Sequence, residues 1–146
     1  MESLIPIIER AWGWAGIAPK VVLERNAFGN LLVLDQVGRY WRITPEDLSC
    51  AMIAETQADF AALRANTEFH ADWNMARLCE IAQSCVGYVT DDRAYCLKIP
   101  SVLGGTYESE NIGDISVAEL ISFAGELARQ IDDLPDGAEI RFQLSE

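Results

Sequence analysis

Lys20-Val21-Val22-Leu23-Glu24-Arg25, Leu31-Leu32-Val33-Leu34-Asp35 and Arg39-Tyr40-Trp41-Arg42-Ile43 are three short runs whose reading decides how this chain of 146 residues folds. Asn26-Ala27-Phe28-Gly29-Asn30 has turn chemistry between the first two, and Gly38 opens the turn before the third. The third run alternates polar and apolar residues, as a half-buried strand does. Together they predict a three-stranded antiparallel β-meander. Upstream, Ile5, Ile8, Trp12 and Ala15 recur at helical spacing and predict a helix over Leu4 to Trp14. Pro6 suits its first turn, while Gly13, Gly16 and Pro19 end it.

Downstream the helical signals multiply. Thr44-Pro45-Glu46-Asp47 places Pro and two acids where a helix begins, predicting a short helix over 45–51. Thr56 with Asp59 resembles a capping box that introduces a helix through Ala65. Glu68 to Cys85 reads as one longer helix closed by Gly87. Arg93 to Ile99 reads as a strand, Leu103-Gly104-Gly105-Thr106 as a sharp turn, and Asn111 to Ile115 as a short strand. Ser116 and Glu119 cap a helix whose buried stripe is Val117, Leu120, Ile121, Ala124, Leu127, Ala128 and Ile131. Leu134-Pro135-Asp136-Gly137 is a turn, and Glu139 to Leu144 alternates as a closing strand. Strands, then helices, then strands and a helix give the α+β class, as one compact domain or two small lobes sharing a core.

Composition narrows the function. Lys and Arg number 11 against 23 Asp and Glu, a net charge of −12. Direct binding of DNA or RNA needs a basic face to displace counterions, and this chain has only two lysines, Lys20 and Lys98. A basic protein that itself binds nucleic acid is the better electrostatic match. Val117 to Ile131, the longest apolar candidate for a membrane span, is interrupted by Glu119, Glu126 and Arg129. Met1-Glu2-Ser3-Leu4-Ile5-Pro6 has no positive leader region, so Cys50, Cys79, Cys85 and Cys96 are expected as buried, reduced thiols in the cytoplasm.

No catalytic constellation stands out. The single histidine, His70, lies near Asp72, and a pairing with Cys79 or Cys85 lacks any feature that would activate the thiol. The cysteines form no Cys-x-x-Cys, and Asp132-Asp133 with Asp136-Gly137 lacks the ligand ladder of a calcium loop. Gly104-Gly105 is too short to cradle a phosphate. Neither a cofactor nor a metal is expected, and oligomeric state is left open.

Charge distribution says more. Residues 1–100 hold 13 acids and nine bases, whereas 101–146 hold ten acids and only Arg129 and Arg141 as bases, a net of −8. Glu108, Glu110 and Asp114 surround Tyr107 and Asn111 in a glycine-led loop. Carboxylates around an aromatic anchor suit a basic protein surface, and a solvated acidic face has the same composition.

The segments Tyr95-Cys96-Leu97-Lys98-Ile99-Pro100, Leu103-Gly104-Gly105-Thr106-Tyr107, Asn111 and Asp133-Leu134-Pro135-Asp136-Gly137 resemble the C-terminal domain of a type VI secretion immunity family. Upstream, Trp12-Gly13-Trp14, Phe28-Gly29-Asn30, Gly38-Arg39-Tyr40-Trp41-Arg42-Ile43 and Pro45-Glu46-Asp47-Leu48 look like the GAD-like domain often fused to it. The resemblance implies a GAD-like lobe over 1–90 and a smaller acidic immunity-type lobe over 91–146. It implies a cytoplasmic, non-enzymatic protein that neutralises a cognate DNase effector by stoichiometric binding. The residues expected to bind that partner are Tyr107, Glu108, Glu110, Asn111 and Asp114. The rival readings are a small-molecule or regulatory binding domain with no toxin partner, and an enzyme using His70, Cys79 or Cys85.

Overall fold

The computed structural model describes residues 3–132, so the expected turn at 134–137 and closing strand at 139–144 lie outside the described residues. Helix α1 (Ile5–Trp12) opens with Pro6 in its first turn and tightens into a 3-10 turn at Gly13–Ala15. Then come β1 (Pro19–Arg25), β2 (Leu31–Asp35), β3 (Tyr40–Thr44) and β4 (Ser49–Ala54), paired antiparallel in that order. The expected meander is present with one strand more. β4 takes up the last three residues of the stretch expected as a helix over 45–51 and extends beyond it. Pro45–Asp47 makes a single 3-10 turn, and Leu48 leaves it in the left-handed region at φ 52°, which stops any further helical turn. Ile43 then pairs with Cys50 across β3 and β4.

Helix α2 (Gln57–Arg64) begins as expected, with the Thr56 hydroxyl accepting from the Asp59 amide. The expected single helix from Glu68 to Cys85 is two: α3 (Thr67–Asn74) and α4 (Ala76–Val86), broken at Met75 with φ 48°. Asn26 holds the break, its amide donating to the Trp73 carbonyl at 2.9 Å and to Met75 Sδ at 3.4 Å. A hairpin follows, with β5 (Arg93–Leu97) antiparallel to β6 (Ile112–Ser116). Ser116 then caps α5 (Val117–Asp132) by accepting from the Glu119 amide at 3.1 Å.

Helices pack against both faces of the main sheet. Val22, Leu31, Val33, Trp41 and Ile43 pack with α1 and α5 in the larger core. On the other face Tyr40 stacks on Phe60 of α2 with ring centroids 4.1 Å apart, and the Arg42 guanidinium lies 5.2 Å from the Trp73 ring of α3. Phe28 reaches out of the β1–β2 turn into a second core with Ala82, Tyr95, Leu97 and Ile112. The larger core takes side chains from both sides of residue 90, Ile8 and Leu31 before it and Ala94 and Ile121 after it. The α1–α5 contact is close. Trp12, fully buried, donates its indole N–H to the Ile121 carbonyl, and a Cβ on Gly125 would fall 2.4 Å from the Ala11 carbonyl oxygen.

One buried carboxylate fixes the β2–β3 turn. Asp35 accepts from the Val37 and Arg39 amides, the Arg39 Nε and the Trp41 indole, all at 2.8–3.0 Å. Desolvation pushes its proton affinity up, but the hydrogen bonds from Trp41, the two amides and Arg39 outweigh it and hold the pKa at about 2.

Candidate functional site

The β5–β6 hairpin is joined by a long loop that carries most of the residues expected at a partner interface. Asn111 closes it. Its side chain is buried, accepting from the Ile99 amide and donating to the Ile99 and Thr106 carbonyls at 2.8–3.0 Å. Gly105 crosses the Ile99 backbone so closely that a Cβ would fall 1.7 Å from the Ile99 oxygen. Asn111 and Gly105 therefore shape the loop from within.

The loop is also tied to the main sheet. The Ser101 hydroxyl donates to Asp47 Oδ1, and the Tyr107 hydroxyl donates to the same oxygen at 3.0 Å. Partial burial and the bond to a carboxylate push the Tyr107 phenol up to about 12, so it stays protonated and donating. Glu108 and Glu110 stand exposed beside it. The Glu110 carboxyl raises the proton affinity of Glu108, while the backbone amide of Glu110 lowers its own. Asp114 sits apart on β6, opposite Tyr95, with Arg93 Nε donating to it at 2.7 Å. Tyr107, Glu108 and Glu110 are thus brought together at the surface, Asn111 lies beneath them, and Asp114 is charge-paired on the neighbouring strand.

Two open clefts meet at this loop. One, of about 740 Å³, runs between α4 at Arg77, Leu78 and Ile81 and the loop from Thr106 to Glu110. The other, of about 680 Å³, lies between β4 and the α3–α4 break, with Ala51, Ile53 and Met75 beside Glu46, Asp47 and Asp72. Arg77, Leu78 and Tyr107 line both. Behind the second cleft runs a polar chain. Asn30, fully buried, donates its amide to the Glu46 carboxylate at 2.6 and 3.1 Å and accepts from Arg42 Nη2 at 2.8 Å. Arg42 Nη1 continues the chain to Asp72 at 2.5 Å. Glu46 is only 5% exposed, and desolvation pushes its pKa up to about 7 against the pull of Asn30.

Sequence reasoning missed Glu46, Arg42, Asp72 and Arg77. Glu46 was expected as a first-turn helix acid, and only the stop at Leu48 folds it under the loop. Among the described residues no hydrogen bond joins His70 to Cys79 or Cys85, whose thiols lie against the Asn74 and Ala82 carbonyls instead. His70 is exposed on α3. The four cysteines are free, but the expectation that all are buried is corrected: Cys50, Cys79 and Cys96 are half-buried, and Cys85 is exposed near the end of α4. Burial pushes the Cys50 thiol up to about 12 and raises Cys79 and Cys96 as well, which disfavours thiolate. Among the described residues no three His, Cys, Asp or Glu side chains gather as a metal site, and no helix is long and apolar enough to cross a membrane.

The family model for T6SS immunity protein Tdi1, C-terminal, matches residues 54–128, just over half of the chain. The protein belongs to this family. The immunity-family segment runs from the end of β4 through most of α5, so Tyr107, Glu108, Glu110, Asn111 and Asp114 all lie within it. Arg42, Glu46 and Asp47 precede it, which makes the second cleft a joint product of the matched segment and the sheet before it. No curated protein matches the chain.

Proposed function

We propose that this protein neutralises a cognate type VI secretion DNase effector in the cytoplasm of the cell that makes it, by binding one to one and without turnover. Membership of an immunity-protein family is the observation that carries this reading. A nuclease must present a basic groove to phosphates, and a chain of net charge −12 is drawn to such a groove from a distance. The same charge argues against nucleic acid as a direct ligand.

The contact surface in this reading is the loop carrying Glu108 and Glu110 with the exposed part of Tyr107. The two acids steer the approach and Tyr107 supplies buried area. Asn111 contributes by holding the loop's shape, and Asp114 with Arg93 forms its flank. The test is co-expression of the protein with a candidate type VI secretion DNase effector from the same genome. The reading predicts a complex that survives size-exclusion chromatography at one-to-one ratio and cells that keep intact chromosomal DNA. A purified pair that elutes separately at micromolar concentration, with DNA degraded in the co-expressing cells, would overturn it.

A further inference from the structure

We infer that the cleft between β4 and the α3–α4 break is a receptor for one long basic side chain of the effector, an arginine or lysine, with Glu46 as the carboxylate that receives its charge. The inference rests on the proposed toxin-binding role and adds a second point of contact to the loop.

Three observations carry it. First, Glu46 is a buried carboxylate that makes no salt bridge among the described residues, and neither its own backbone amide nor the Arg42 charge nearby offsets its desolvation. Both its oxygens accept from a single amide nitrogen, that of Asn30, while the Arg42 guanidinium is committed to Asn30 Oδ1 and to Asp72. Burying a carboxylate so incompletely matched is costly, and an incoming cation removes the cost. Second, the walls suit an aliphatic stem. Ala51, Ile53, Met75 and Ala76 offer apolar surface for methylenes leading to a charged head. Third, the volume of about 680 Å³ is ample for one such side chain, and Tyr107 joins the cleft to the loop of Glu108 and Glu110.

The charged and titratable groups around the site are Arg42 from β3, Asp47 on the same turn, Asp72 from α3, Arg77 from α4 and Tyr107 from the loop. Neither α5 nor β5, which pack on the same turn, contributes a lining residue. A proton on Glu46 competes with the incoming cation. The free group is protonated below about pH 7 and ionised above it, so the cleft binds its cation better as pH rises through neutrality.

Binding of the effector's nuclease domain is measured by calorimetry for wild type, Glu46→Gln, Ala51→Phe and, as control, Glu55→Gln, each confirmed folded by circular dichroism. Glu55 is exposed and lines neither cleft. The inference predicts at pH 8 about a tenfold weakening for Glu46→Gln and for Ala51→Phe, which fills the cleft from an exposed strand position without touching the carboxylate, and no change for Glu55→Gln. The wild-type advantage over Glu46→Gln shrinks toward unity at pH 5.5. In the absence of toxin, agmatine at millimolar concentration is expected to shift amide resonances of Ala51, Ile53 and Ala76 in wild type and not in Ala51→Phe. Wild-type affinity in both cleft variants at pH 8 would overturn the receptor while leaving the toxin-binding reading intact. Failure of wild type itself to bind the nuclease domain would remove that reading and this inference together.

Discussion

Asp35 and Glu46 are both buried carboxylates, and their partners send them in opposite directions. Asp35 accepts four hydrogen bonds, and the buried Trp41 indole and the two turn amides would lose their acceptor without it. Asp35→Ala is expected to cost about 1–3 kcal/mol in urea unfolding, the toll of unsatisfied buried donors. Its pKa of about 2 lies below the ordinary 3.8, so its contribution is full above pH 4 and fades as pH falls toward 2. Glu46 has its pKa raised from 4.5 to about 7, so the folded state holds a proton that the unfolded chain releases. Stability from this group therefore falls as pH rises from 4.5 to 7. Glu46→Gln should be more stable than wild type at pH 8, by up to about 3 kcal/mol, with the gain vanishing near pH 4.5. Thermal melts at the two pH values check the sign. At the surface, Glu108→Lys with Glu110→Lys should slow association with the effector about tenfold and weaken its salt dependence, leaving the melting temperature unchanged. Stopped-flow association rates across a salt series read this directly.

Among the elements, those whose signals are local were legible. Thr56 with Asp59 and Ser116 with Glu119 start α2 and α5 where the capping pattern predicts, because each cap is made within one turn of chain. The stripe of α5 was equally plain from its spacing, but Gly125 was not part of it. Its importance comes from Ala11, more than a hundred residues earlier, whose carbonyl oxygen leaves no room for a Cβ. Gly125→Ala should cost about 1–3 kcal/mol by forcing α1 and α5 apart, measurable as a lower urea midpoint. The errors have the same origin. Pro45-Glu46-Asp47 has the chemistry of a helix start, yet Leu48 turns left-handed and the chain enters β4 beside β3. Glu68 to Cys85 has continuous helical spacing, yet Met75 breaks it where Asn26, from a distant turn, takes up the freed carbonyl of Trp73. The loop of Tyr107, Glu108 and Glu110 was visible as composition. The cleft beside it was not, since Arg42, Glu46, Asp72 and Arg77 are brought together only by tertiary folding.

For the whole molecule, the net charge of −12 and the contiguous clefts around Tyr107 make one acidic, concave surface in the proposed role. Such a surface predicts an association rate with the effector that falls steeply between 50 and 300 mM salt, while dissociation changes little. The central claim is that the protein acts by occupancy. Its most direct test is a titration of the effector's DNA-cleavage activity with purified protein, at two effector concentrations well above the dissociation constant. The account predicts a linear loss of activity ending at one equivalent in both, with full activity returning when the complex is separated in denaturant and the effector refolded. Complete loss at a few hundredths of an equivalent, progressing with time, would mean catalytic inactivation and contradict it.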